Sequence, residues 1–154
     1  MDNIAYVGKL GAGNTQYVVA RQVATGDLYR YEVTREGLAN GTKIGHGWQE
    51  MTNVVGVGQF VGDGYPDVIA TRSDGKLFVF AGTRGGGLVS AGQIGHGWSS
   101  FGAVSSPGDM NGDGAYDLVA IRNDGRLFLY NNQRGYFATG APIGHGWSSV
   151  KLVS

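Results

Sequence analysis

The chain has 154 residues and no cysteine, and its 12 lysines and arginines balance its 12 aspartates and glutamates. With no net charge and no uninterrupted apolar run near 18 residues, the sequence argues against nucleic acid as a partner and against membrane insertion. Disulfides and thiolate chemistry are excluded, and 29 glycines, more than twice the usual share of about 7%, predict many tight turns.

A pentapeptide, IGHGW, occurs at 44–48, 94–98 and 143–147 and marks an internal repeat. Its tryptophans are 50 and then 49 residues apart, and the sequence between them also aligns. A repeat of this length predicts one domain made of three similar units. The predicted domain is 1–154, with units at about 4–50, 51–100 and 101–149 and with 150–154 starting a further unit.

Within each unit, short apolar and aromatic runs alternate with Gly, Asn and Asp, which is typical of strands joined by turns. The first unit is the least regular and carries one extra residue. Asp-Gly pairs predict hairpins in the second unit at 73–75 and in the third at 123–125. Four strands are predicted in the third unit, at 102–108, 116–122, 126–132 and 138–144.

Four antiparallel strands per repeat predict an all-β fold of three β-propeller blades, with a β-trefoil as the alternative. Three blades are too few to close a ring. The tail at 148–154 has the same phase as 99–105, and the head at 1–5 has the phase of 51–55. Because an exposed edge strand pairs readily with another chain, we expect a head-to-tail homodimer whose two chains complete six blades.

The segment GDMNGDGAYDL at 108–118, followed by DGRL at 124–127, resembles the FG-GAP or VCBS repeat of bacterial secreted proteins. This resemblance implies propeller blades that flank catalytic domains or act alone in adhesion. It also implies a secreted or extracellular location, although 1–5 has no signal-peptide character. The IGHGW repeat is similar to an element of tachylectin-type propeller lectins, which implies carbohydrate binding.

Oxygen-bearing residues alternate in the loop that follows the first predicted strand of the third unit. Asp109, Asn111, Asp113 and Asp117 occupy positions 1, 3, 5 and 9, with the backbone carbonyl of Ala115 at position 7. Calcium is bound by short loops of this kind, so one Ca²⁺ per chain is predicted. The alternative is that these side chains cap turns. The second unit has a valine at the third position of this loop and is not expected to bind a cation.

The candidate ligand-binding residues recur between units. Trp and His join an apolar face to a polar edge, as a sugar requires, but a recurrent Trp also fits packing between sheets. Arginines and loop tyrosines are further candidates for a pocket at a blade junction. The full predicted set is His46, Trp48, His96, Trp98, His145, Trp147, Arg72, Arg122, Tyr65 and Tyr116.

Repetition of these residues argues against catalysis, which needs one unique constellation of groups. The serines beside two of the histidines are replaced by Gln49 and Glu50 in the first unit, and no carboxylate recurs to orient an imidazole. The sequence therefore predicts a lectin that binds glycans at several shallow sites. The alternative is a structural or protein-adhesion module, including a fragment excised from a larger propeller.

Overall fold

A computed structural model describes residues 1–149, which form three sheets of four antiparallel strands. In every sheet the spatial order of the strands is their order in the chain, so each repeat pairs only with itself. This confirms the predicted all-β class and its four-stranded repeats. Pairing confined to each repeat is how propeller blades are built, and it excludes the trefoil alternative. We call the sheets the first, second and third blades.

Twelve strands account for most of the described chain. The first blade contains β1 (Asp2–Gly8), β2 (Tyr17–Gln22), β3 (Asp27–Thr34) and β4 (Gly37–Gly45). The second contains β5 (Met51–Gly56), β6 (Val68–Arg72), β7 (Leu77–Gly82) and β8 (Leu88–Gly95). The third contains β9 (Phe101–Gly108), β10 (Asp117–Arg122), β11 (Leu127–Tyr130) and β12 (Ala141–Gly144). No helix in residues 1–149 is long and apolar enough to cross a membrane.

The first strands of the three blades lie next to one another, because β1 contacts β5 and β5 contacts β9. Two apolar clusters fill the space between blades. The cluster between the first and second blades includes Val7, Leu10, Val19, Leu28, Trp48, Val54 and Val68. The cluster between the second and third includes Val57, Phe60, Ile69, Leu77, Trp98, Val104 and Leu118. Successive apolar residues in the strands of the second blade therefore pack on opposite sides, against the first blade and against the third.

The third blade ends differently from the prediction. The third strand stops at Tyr130 rather than at 132. Asn132 pairs only with Phe137, in an isolated bridge, and its backbone N–H donates to Asp117 at 2.9 Å. The last strand begins at Ala141 rather than at 138. Gly140 lies tightly against the Tyr130 ring, where a Cβ would come within 2.5 Å, and the chain pairs with β11 only beyond it. The further unit predicted at 150–154 lies outside the described residues.

Candidate functional site

The tryptophans of the IGHGW repeats lie at the contacts between blades. Trp48 and Trp98 are only 5% and 6% exposed. Trp48 packs on Phe80 of the second blade with ring centroids 4.3 Å apart, and Trp98 packs on Tyr130 of the third at 4.9 Å. Trp147, in the last blade, is half-buried. Protein thus covers the faces of Trp48 and Trp98, so these two rings offer no stacking surface for a sugar.

The glycines of IGHGW allow the tryptophan to lie close to the backbone of its own blade. The first glycine faces the indole, and a Cβ on Gly45 would lie 2.9 Å from Nε1 of Trp48. The second, Gly47, has a φ of 79°, which a side chain would strain. The backbone N–H of each tryptophan donates at 2.9 Å to a glycine carbonyl in the hairpin between the second and third strands of its own blade. These pairs are Trp48 with Gly26, Trp98 with Gly75 and Trp147 with Gly125.

The three histidines of the repeat are exposed. His46 borders a shallow hollow of about 370 Å³ between the first and second blades, with Trp48 and Phe80 in its wall. The rest of the wall comes from Ile44, Gly45, Leu88 and Ser90. The structure therefore brings His46 and Trp48 to one blade junction, where the histidine is accessible and the tryptophan is almost fully covered.

Arg72 and Arg122 act within their own hairpins and line neither the hollow nor the groove described below. Arg72 donates to Asp74 at 2.6 Å, and its guanidinium lies 4.9 Å from the centre of the Phe78 ring. The hydrogen bond raises the pKa of Arg72 and lowers the pKa of the Asp74 carboxyl. Arg122 makes the same pair with Asp124 in the third blade. These ion pairs are exposed, so their geometry points to hairpin stabilisation rather than ligand binding.

The acidic loop between β9 and β10 is held by its own backbone. The Asp109 carboxylate accepts the N–H groups of Gly114 at 2.8 Å and Gly112 at 2.7 Å, and these bonds lower the pKa of Asp109. Asp113 accepts the Ala115 N–H at 2.8 Å. Each of these contacts is a turn-capping hydrogen bond of the kind that Asp provides in tight loops.

The chemistry of this loop suits a hard cation better than its geometry does. Carboxylates, the Asn111 amide oxygen and the Ala115 carbonyl are all oxygen donors, as calcium prefers. Within residues 1–149, however, no three His, Cys, Asp or Glu side chains are grouped so that they could hold a metal. Asn111 instead donates to Asp113 at 2.9 Å and accepts its backbone N–H at 3.0 Å. In this arrangement Asn111 and Asp113 bond each other, so a calcium ion would require the loop to rearrange.

Calcium binding stays a prediction with a direct test. If the loop rearranges around Ca²⁺, adding calcium to chelated protein releases heat and raises Tm by about 5 °C or more at a hundredfold excess over Kd. Asp109→Ala should abolish this shift, whereas Asp63→Ala in the second blade should keep it. An unchanged Tm and no heat in calorimetry would leave turn capping as the role of the loop.

Asp117 and its counterpart Asp67 are completely buried at the start of the second strand of their blades. Asp67 accepts three backbone N–H groups, from Phe60 and Val61 at 2.7 Å and from Gly82 at 3.0 Å. Burial raises the pKa of the Asp67 carboxyl, although these hydrogen bonds act against it. Asp117 likewise accepts the backbone N–H groups of Met110 and Asn132. The side chain that was predicted as a metal ligand therefore joins the loop to the strand by hydrogen bonds.

A groove of about 1240 Å³ lies where the first strands of the blades meet the loops that follow them. Three tyrosines from three different blades line it, namely Tyr6, Tyr65 and Tyr116. Tyr65 and Tyr116 were predicted as ligand-binding residues, and the structure brings them together with Tyr6, which the repeat pattern missed. Polar lining residues include Gln16, Gln59, Asp63, Arg84, Ser105 and Arg134.

Two of these tyrosines present much of their surface to solvent. Tyr6 is 60% exposed and Tyr116 is 49% exposed. The Tyr116 ring lies over Gly58 of the preceding blade, where a Cβ would come within 3.1 Å of the ring. The Tyr6 hydroxyl donates to Gln16 across the first blade. The groove therefore combines supported aromatic faces with amide, hydroxyl and guanidinium groups.

Comparison with known proteins supports the repeat. Residues 60–120 match the model of the FG-GAP-like repeat family, which confirms the resemblance found in the third unit. A chain in the structure of the Photorhabdus luminescens Tc holotoxin pore is similar at 16% identity and a TM-score of 0.43. That similarity covers 83% of this chain and 6% of the toxin chain. No curated protein matches.

Proposed function

We propose that the chain is a non-catalytic carbohydrate-binding module that acts outside the cell and takes its sugar in the tyrosine-lined groove. The observation that carries this proposal is the convergence of Tyr6, Tyr65 and Tyr116, one from each blade, in one open groove. A sugar stacks its C–H faces on aromatic rings and satisfies its hydroxyls with donors and acceptors. This groove supplies both kinds of group, whereas the IGHGW tryptophans are mostly covered.

Several features of the groove support a glycan over a smaller or more highly charged ligand. It is open, and the cationic side chains of Arg84 and Arg134 are accompanied by the carboxylate of Asp63. Neutral hydrogen-bonding groups such as Gln16 and Gln59 also line the groove. An open groove of this type holds each sugar weakly, and useful strength comes from simultaneous contacts on a glycan-coated surface.

The test is a glycan array followed by titration with the best binder. Tyr6→Ala should weaken binding by about tenfold, since the loss of one stacking platform is worth about 1 to 1.5 kcal/mol. Tyr136→Ala is the matched control, because Tyr136 is 59% exposed against 60% for Tyr6 and lies outside the groove. Equal loss in both variants, or none in Tyr6→Ala, would contradict the groove as the site.

A silent array from folded protein would contradict the carbohydrate proposal itself. In that case the structural or protein-adhesion module becomes the better account, and the groove would be tested against protein ligands. Folding is checked on the same sample by near-ultraviolet circular dichroism, which reports the packing of Trp48 and Trp98.

A further inference from the structure

We propose that the two outermost blade faces of this chain bind each other in a second copy, so that two chains close a six-bladed ring. The head face belongs to the first blade and consists of the residues that align with the second-blade side of the first core cluster, namely Met1, Ile4, Val18, Tyr31 and Leu38. The tail face belongs to the third blade and consists of the residues that align with the second-blade side of the second core cluster, namely Met110, Val119, Leu129 and Trp147. Nothing else in residues 1–149 covers either face. This inference does not rest on the carbohydrate proposal.

The head face repeats the surface that the second and third blades use to pack on the blade before them. Val54 and Val104 hold this position inside the chain and are 5% and 7% exposed. Their counterpart in the first blade, Ile4, is 52% exposed. Leu38 is 54% exposed, although its counterpart Leu88 packs against the first core cluster. The first blade thus keeps apolar residues in register for a junction that no other blade within residues 1–149 supplies.

The tail face repeats the opposite surface. Leu10 and Phe60 occupy one position in the first and second blades and are 2% and 1% exposed. Their counterpart Met110 is 51% exposed. In the same way Trp98 is buried by the following blade, whereas Trp147 is half-buried. Apolar residues at these positions are buried wherever a next blade follows.

A glycine lies at or just after the end of the first strand of each blade, at Gly8, Gly58 and Gly108. Gly8 faces Pro66 of the next blade, with its Cβ position 3.9 Å from the ring, and Gly58 faces the Tyr116 ring at 3.1 Å. The corresponding Gly108 has no heavy atom of the described chain within 4 Å of its Cβ position. The residue of the first blade at the matching place is Gln16, so a second copy would set Gln16 of the partner subunit over Gly108.

A second copy is the occupant that these faces fit, because head and tail are the two halves of a junction already formed twice within the chain. Such a head-to-tail contact closes a ring when its rotation allows and otherwise forms open fibres. The internal junctions set that rotation for a propeller, and propellers have about 4 to 8 blades. Each copy contributes the three blades that residues 1–149 describe, so two copies give six blades and a third copy would exceed this range.

The second copy would also complete a junction beside His145. At the first junction, Phe80 and Leu88 form the wall of the hollow next to His46. The matching residues of a partner's first blade are the partner subunit's Tyr31 and the partner subunit's Leu38. Dimerisation would therefore build a hollow next to His145 whose second wall residues 1–149 of a single chain do not provide.

Sedimentation equilibrium tests the ring. The wild-type chain is expected at twice 16.2 kDa with no larger species. Leu38→Glu should raise the dimer Kd by about a hundredfold, because it buries an unpaired carboxylate in an apolar contact. Val89→Glu is the matched control, since Val89 and Leu38 are each 54% exposed on the last strand of a blade and Val89 belongs to neither face.

A mixing experiment distinguishes the head-to-tail junction from other dimers. Met110→Glu should break the tail face as Leu38→Glu breaks the head face, leaving each variant monomeric. Mixing the two variants pairs one intact head with one intact tail, so heterodimers should return with an affinity between that of the variants and that of the wild type. A monomeric wild type, open polymers, or a mixture that stays monomeric would each overturn the proposal.

Discussion

Replacing Asp67 by alanine is expected to lower the free energy of unfolding by about 3 to 5 kcal/mol, among the largest effects of any single substitution in this chain. The carboxylate is fully buried and accepts the N–H groups of Phe60, Val61 and Gly82. Alanine would leave the buried N–H groups of Phe60 and Gly82 and the part-buried N–H of Val61 without an acceptor. Urea denaturation followed by tryptophan fluorescence measures the loss.

Two further variants sharpen this prediction. Asp67→Asn keeps the shape and one acceptor oxygen, so it should cost less than alanine but still destabilise, because its amide N–H₂ would face a backbone donor. Asp63→Ala is the control in the same loop. Asp63 is exposed and bonds only the Tyr65 N–H at 3.0 Å among the described residues, so a loss below about 1 kcal/mol is expected. Equal losses at Asp63 and Asp67 would contradict this role of the buried carboxylate.

The blades could be predicted from the sequence because their signals are local. Asp-Gly pairs at 74–75 and 124–125 specify hairpins, and both glycines have the positive φ of 82° that such turns need. Strand ends were less predictable. The third strand of the last blade stops at Tyr130, and beyond it Asn132 pairs with Phe137 only in an isolated bridge, which no local pattern reveals.

The candidate site was harder to predict because its chemistry depends on distant partners. A tryptophan repeated in each unit fits both packing and sugar stacking, and the choice depends on whether a ring such as Phe80 covers it. Tyr6 escaped notice for the opposite reason. Its counterparts in the other blades are Gly56 and Ser106, so repetition gave it no weight, although it lines the groove.

The second large effect is expected for Trp98→Ala, at about 3 to 5 kcal/mol of unfolding free energy. Trp98 is 6% exposed and packs on Phe101 and Tyr130, with ring centroids 5.2 Å and 4.9 Å away. Removing the indole opens a cavity between the second and third blades that these rings cannot fill. The measurement is urea denaturation in the Leu38→Glu background, in which the proposed dimer is dissociated.

Trp147→Ala provides the internal comparison, since the same motif in the third blade has no following blade within the described chain. In the dissociated background its half-buried indole should contribute less stability than that of Trp98. In the wild-type chain the loss at Trp147 should grow, because the partner subunit would cover the ring. Trp98→Ala with unchanged stability but weakened sugar binding would contradict the packing role and restore the tryptophan as the ligand platform.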